Sequence, residues 1–196
     1  MSANPISAES QRALSPTHLR QQLRAKLKQA QQGGPALVAP GVFDGYGARM
    51  VQQLGFEAVY MTGNGVSASL LGRPDVGLVD LSLMSGHARR VASCVNLPLI
   101  CDADTGYGNV VGVRRTIEEF EAAGVAAIHM EDQISPKRCA QLPGDRSVLP
   151  FREAVAKIEA AGTELQAGSP EEVQAWTQRD TEKWSRVIRD AKIAIE

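Results

Sequence analysis

The sequence predicts an α/β fold built on a parallel sheet, and three observations carry that prediction. Short, uniformly apolar runs recur along the chain, as expected for parallel strands buried on both faces. Helical patterns separate them in strand, helix, strand, helix order, which implies right-handed βαβ units in a sheet that is either open or closed into a barrel. The 196 residues, 43% hydrophobic, suffice for one core but fall short of the roughly 250 of a full eight-stranded α/β barrel.

The elements follow in order. Ser15-Pro16-Thr17 with Leu19, Leu23 and Leu27 reads as a capped amphipathic helix, stopped by Gly33-Gly34-Pro35 and placed over one end of the core. Apolar runs at Ala36 to Ala39, Ala58 to Met61, Leu97 to Cys101 and Val125 to Met130 are the four predicted strands. Helical patterns at Tyr46 to Leu54, Leu81 to Val95 and Val110 to Ala123 lie between them, the last closed by Gly124. Phe151 to Ala161 supplies a fourth helix with no fifth strand behind it. Gly162 then opens a polar stretch, and Gly168-Ser169-Pro170-Glu171-Glu172 caps a closing helix to about Ile193. The chain divides accordingly into an N-terminal helical extension (1–34), the α/β body (35–161) and a helical tail (162–196).

Composition narrows the partners. The net charge is -1, from 21 basic and 22 acidic residues, and no basic stripe interleaves with aromatics, so nucleic acid and anionic membranes are not indicated. A small carboxylate is the expected partner. Cys94, Cys101 and Cys139 form no CxxC pair and are odd in number, which argues against a disulfide framework and for a reducing, cytoplasmic setting. Met1 to Gly34 lacks the apolar block of a signal peptide.

The chemistry gathers at the ends of the apolar runs. Asp102 and Asp104 end the third run, and two-residue spacing in an extended chain puts both carboxylates on one side. Glu131 and Asp132 end the fourth in the same manner, and adjacent parallel strands present their carboxyl ends on one face. Four carboxylates so placed repel one another unless a hard cation neutralises them, and oxygen-only donors favour Mg²⁺ or Mn²⁺. Thr105-Gly106-Tyr107-Gly108-Asn109 lets the backbone turn tightly near a ligand. Tyr60-Met61-Thr62-Gly63-Asn64-Gly65 offers a hydroxyl, an amide and open backbone N–H groups for a carboxylate, although an ordinary strand-to-helix turn reads almost the same. In Ser135-Pro136-Lys137-Arg138-Cys139 a thiol flanked by two cations is expected to ionise more readily and to serve as acid or base.

These segments, with Val38-Ala39-Pro40-Gly41-Val42-Phe43-Asp44, Leu71-Gly72-Arg73-Pro74-Asp75 and His129-Met130-Glu131-Asp132-Gln133, occur in the order and spacing of the isocitrate lyase/phosphoenolpyruvate mutase superfamily. The sequence resembles that superfamily over about residues 17 to 161, and looks most like its 2-methylisocitrate lyases and related short-chain lyases or decarboxylases. The resemblance implies a truncated (β/α)8 TIM-type barrel of about four βα units with an appended helix. It implies an Mg²⁺ (or Mn²⁺) site at Asp102 and Asp104, with Glu131 acting through water and Asp75 as a further carboxylate. Tyr60, Thr62, Gly63 and Asn64, with Asp102, match the substrate-binding positions. Cys139 matches the thiol that lyases of this family carry on a mobile gating loop, with Lys137 and Arg138 beside it; phosphonate-forming mutases lack that cysteine.

Two departures stand out. Ala140-Gln141 follow the cysteine where Gly-His is usual, and the motifs end near Ala161, without the later strands, arginine, glutamate and asparagine. The tail from about Thr163 to Glu196 resembles instead the closing helix of solute receptors of tripartite tricarboxylate transporters. The expectation is therefore a metal-dependent carbon–carbon lyase acting on a 2-methylisocitrate-like or oxaloacetate-like acid. An inactive, truncated or fused remnant that binds metal or ligand, or only oligomerises, is the alternative. Uncovered sheet edges point to a homo-oligomer.

Overall fold

A computed structural model describes residues 14–139 and 146–162, together with Gln178 and Glu182. The chain divides into two compact units, Met1–Gly162 and Thr163–Glu196. Every element with described bounds lies in the first. The predicted closing helix falls outside the described residues except for Gln178 and Glu182, both helical.

Helix α1 (Pro16–Gln31) starts where Ser15 Oγ accepts the His18 N–H, with proline at the first helical position. Strand β1 (Gly41–Val42) leads into α2 (Gly45–Gln53), capped by Asp44. Strand β2 (Val59–Met61) runs into α3 (Gly63–Leu71), capped by Thr62 and ended by Gly72 in the left-handed conformation. Helix α4 (Leu81–Ala92) precedes β3 (Leu99–Asp102), and α5 (Val110–Ala122) precedes β4 (Ala127–His129). Helix α6 (Phe151–Ala160) packs on α5.

The sheet is parallel, in the order β1-β2-β3-β4, with every strand beside its neighbour in sequence. Its buried face meets the helices. Val59, Met61, Leu99 and Cys101 pack there with Ala48 and Val51 of α2, Met84, Ala88 and Val91 of α4, and Phe120 of α5. By the two-residue alternation of a strand, Tyr60, Ile100, Asp102 and His129 share the opposite face, since Tyr60 is in register with Ile100 and Asp102 with His129.

Four strands and the order of elements agree with expectation, and the differences have local causes. The first strand lies at Gly41–Val42 instead of Ala36 to Ala39. Proline at 40 has no N–H to give the ladder, and its carbonyl and that of Val42 accept the N–H groups of Tyr60 and Thr62. Val38, read as a strand residue, is 59% exposed. Strand β4 is only half-buried, so uniform burial holds for the inner strands and fails at the edge. Helix α3 was not foreseen beyond its turn, because two glycines in its first turn read as loop.

Helix α1 lies across the entry to the strands. Arg20 donates to the carbonyls of Glu121 (2.8 Å) and Val125 (3.1 Å), and Asn96 accepts the Leu14 N–H at 3.0 Å. Lys26 pairs with Glu57. Glu57, Asn96 and Val125 each precede a strand, so α1 closes the end of the sheet opposite the strand carboxyl ends. Among the described residues, no helix is long and apolar enough to cross a membrane.

Candidate active site

Three strand ends and three loops build one polar site. Asp102, the last residue of β3, is buried, and its Oδ1 accepts the Asp104 N–H at 2.7 Å. Its Oδ2 accepts the Gly63 N–H at 3.3 Å, from the first turn of α3. A Cβ on Gly63 would stand 2.6 Å from that oxygen and 3.2 Å from Asp75 Oδ2, so only glycine lets the helix end approach both carboxylates.

Asp104 is buried with φ 52°, in the left-handed region. Two-residue spacing predicts Asp104 beside Asp102 through an extended chain; the chain in fact reverses here, and the reversal brings the Asp104 carboxylate back to the site. Asp tolerates this conformation better than most residues because its short side chain bonds locally, and Asp104 Oδ1 accepts the Thr105 N–H at 2.6 Å. Gly106 follows at φ +87°, where a Cβ would meet Met130 Sδ at 2.7 Å and Val113 Cγ2 at 2.9 Å.

Lys137 fills the centre. Its side chain is 3% exposed, and Nζ lies 2.8 Å from Asp75 Oδ2, 3.2 Å from Asp104 Oδ2 and 3.5 Å from Glu131 Oε1. Burial disfavours the ammonium, but the Asp75 hydrogen bond and the charges of Asp102, Asp104 and Asp75 outweigh it and hold the lysine well above its usual pKa. Asp75 is itself raised, chiefly by burial and by repulsion from Asp102 and Asp104, against the opposing pull of Lys137. Asp132, the fourth carboxylate expected from the strand ends, is exposed; Asp75 takes its place. Lys137, expected from the sequence to act on the Cys139 thiol, has its charge held by the carboxylates instead.

The remaining candidates are distributed around this cluster. The Tyr60 hydroxyl lies 3.2 Å from His129 Nδ1 across β3. Burial and the Asp102 charge push that phenol up to about 12. Thr62 Oγ1 accepts the Gly65 N–H at 3.3 Å, so Thr62 caps α3, and the N–H groups of Gly63 and Gly65 are already engaged. Asn64 is exposed. Arg138 is exposed with its N–H on Gln133 Oε1 at 3.1 Å, and Cys139 is half-buried.

Several supporting residues escaped the sequence reading. Ser67, fully buried in α3, donates to or shares its hydroxyl with the carbonyls of Arg73 (3.1 Å) and Pro74 (3.2 Å), which fixes the turn that carries Asp75. Gln133 Nε2 holds Glu131 Oε2 at 2.6 Å. Lys157 of α6, also buried, donates to the Thr105 carbonyl at 3.1 Å. The Tyr107 hydroxyl is buried with no partner among the described residues, and burial followed by the Asp104 charge raises it strongly. Ser67 and Lys157 carried no local signal, since each acts across a turn or between elements.

Residues 25–175 match the phosphoenolpyruvate phosphomutase family. The chain belongs to the PEP mutase/isocitrate lyase superfamily. The match continues past Ala161, where the sequence motifs end, and the transporter-receptor resemblance of the tail rests on residues outside the described set. Within the superfamily, the chain is 47% identical over 137 residues to the 2,3-dimethylmalate lyase of Eubacterium barkeri, covering 70% of this chain and 47% of that one. It is 41% identical over 136 residues to the 2-methylisocitrate lyase of Shewanella oneidensis, covering 69% and 46%. A phosphonopyruvate hydrolase solved with oxalate and Mg²⁺ superposes with a TM-score of 0.63 at 33% identity, over 76% of this chain and 47% of that one. The chain thus spans about half the length of the curated relatives it matches.

The superfamily structure with Mg²⁺ makes a divalent cation the relevant test of this site. In kind and charge the residues fit: Asp75, Asp102, Asp104 and Glu131 are all oxygen donors, and one ammonium leaves most of their charge unmatched. In arrangement they are held apart around Nζ, and among the described residues no three His, Cys, Asp or Glu side chains are set to hold a metal ion together.

Proposed function

We propose that the chain carries the metal-dependent part of a carbon–carbon lyase site acting on a 2-methylisocitrate-like or oxaloacetate-like acid. The observation that carries this reading is the convergence of Asp75, Asp104 and Glu131 on a single buried cation at the strand carboxyl ends, with Asp102 beside them. The names of the lyase relatives support the reaction class. A bound Mg²⁺ or Mn²⁺ supplies positive charge for the oxygen that becomes negative as a carbon–carbon bond breaks to an enolate.

The chain's own residues supply the rest. Asp102 and Asp104 would hold the cation, with Glu131 and Asp75 as further carboxylates of the same cluster. The Tyr60 hydroxyl and Asn64, with the Thr62–Gly63 turn, orient the substrate carboxylate. Cys139 delivers or removes the proton at the reacting carbon, with Arg138 beside it, while Lys137 gives its charge to the carboxylates.

A thermal melt with Mg²⁺ and oxalate, an enolate mimic, tests the site. A ligand selective for the folded state at about 100 times its Kd adds roughly 2.7 kcal/mol, or several degrees in Tm for a chain of this size. Wild type shows that rise and Asp102→Ala loses it; no rise in wild type sinks the reading. A second reading, ligand or metal binding without turnover, is favoured by Lys137 already neutralising part of the cluster. Binding of Mg²⁺ and oxalate without consumption of 2-methylisocitrate or oxaloacetate selects it.

A further inference from the structure

A cavity of about 470 Å³ opens where α1 meets the last turns of α4 and α5, at the amino end of the strands. That volume falls within the usual range of small-molecule sites, about 300–1,000 Å³. Asn96, on its wall, precedes β3, whose far end carries Asp102, so the length of that strand separates the cavity from the carboxylate cluster.

The polar groups of the lining are donors left without acceptors. Gln52 Oε1 accepts the Asn96 N–H at 2.6 Å, and Asn96 Oδ1 accepts the Leu14 N–H at 3.0 Å. Both amide oxygens are thereby engaged, and each side chain keeps an NH₂ group that has no partner among the described residues. The Arg89 guanidinium, exposed and on the same lining, has neither an ion pair nor a hydrogen bond among the described residues. No acidic residue lines the cavity. Acceptors beside it are already taken: Arg20 holds the Glu121 carboxylate at 3.1 Å and the carbonyls of Glu121 and Val125, and Ser93 Oγ and Cys94 Sγ both donate to the Arg90 carbonyl. Next to the donors stand the apolar side chains of Leu14, Leu19 and Val95, and Leu14 is 38% exposed.

We propose that this cavity is a binding site for a small monocarboxylic acid with an apolar body, separate from the candidate active site. Arg89 takes the carboxylate, the amide groups of Gln52 and Asn96 donate to its oxygens, and the body lies on Leu14, Leu19 and Val95. A guanidinium offers parallel N–H groups that match the two oxygens of a carboxylate. One cation matches one negative charge; a dianion leaves a charge unmatched beside two helix C-termini, where the dipoles are themselves negative. The apolar body covers Leu14 and bridges α1 to the ends of α4 and α5. None of this depends on the reaction or the metal assigned to the carboxylate cluster.

The test uses the full chain without metal. Hexanoate is the probe and hexan-1-ol its uncharged counterpart, and binding is measured by isothermal titration calorimetry for wild type, Arg89→Gln, Ala122→Trp and Asp102→Ala. Ala122 is an exposed residue of the lining, so a tryptophan there fills the cavity from its rim. Cys94, exposed and also on the lining, locates the bound acid through its rate of iodoacetamide labelling. Wild type is expected to bind hexanoate, with slower Cys94 labelling, and to bind hexan-1-ol at least about tenfold more weakly. Arg89→Gln weakens hexanoate binding about tenfold, as for the loss of one hydrogen bond to a charged group. Ala122→Trp abolishes binding, and Asp102→Ala leaves it unchanged. No hexanoate binding by wild type overturns the proposal, as does equal binding by Arg89→Gln, persistent binding by Ala122→Trp, or Cys94 labelling that ignores the acid. Equal affinity for hexan-1-ol overturns the carboxylate assignment, and loss of binding in Asp102→Ala moves the acid to the other site and overturns the proposal too. If circular dichroism shows Ala122→Trp unfolded, Arg89→Gln and the Cys94 labelling decide.

Discussion

Tyr60 shows how the site acts on a single side chain. Its phenol is raised to about 12, first by burial and then by the Asp102 charge, with Cys101 and Glu131 adding to it. The neutral form is the one the fold prefers, so this contribution to stability is complete below pH 10 and is lost as pH climbs towards about 12. Wild type is expected to lose more stability than Tyr60→Phe between pH 9.5 and pH 11.5 in urea titrations; parallel losses would show that Tyr60 is not responsible. The candidate residues themselves were legible. Acidic side chains ending apolar runs named Asp102, Asp104 and Glu131, and the Arg73-Pro74-Asp75 motif named Asp75 through family resemblance. The destination of Lys137 was not legible, because it depends on how a loop folds back over two strand ends, and nothing in Lys137-Arg138-Cys139 encodes that path. Nor was the left-handed turn at Asp104, which replaced the extended geometry inferred from spacing.

Among elements, the contact between α6 and the Asp102–Gly108 loop has the clearest energetic reading. Lys157 is buried and gives its ammonium to the Thr105 carbonyl, one residue after the left-handed Asp104. Truncation in Lys157→Ala removes both the hydrogen bond and the packed stem, and an unsatisfied buried carbonyl costs about 1–3 kcal/mol. For a chain of this size that is a fall of roughly 2–12 °C in Tm. Calorimetry reads it directly, and an unchanged Tm would mean that the carbonyl finds another donor. Helices α1, α2, α4, α5 and α6 were legible because capping residues or stop signals frame apolar periodicity, as Ser15 and Gly124 do. Helix α3 was not, since Gly63 and Gly65 mask the Thr62 cap; those glycines are there because Asp102 and Phe43 approach too closely for side chains.

At the scale of the molecule, β1 and β4 are the sheet's two edges among the described residues. Neither is long, which limits pairing with another chain, but exposed Phe43, Tyr46 and Met50 lie near one edge and Ile134, Val148 and Phe151 near the other in sequence. Self-association is expected, and sedimentation velocity over a hundredfold concentration range checks it; one monomeric boundary throughout would contradict it. The consecutive strand order has a further consequence, in time. Each strand pairs with the one just before it in the chain, so every ladder closes over a short separation and can form as the polypeptide lengthens. Helix α1 breaks that rhythm. The Arg20 clasp awaits Glu121 and Val125, so α1 completes its contacts only after β3 and α5 have been synthesised, and it latches what the later units have built.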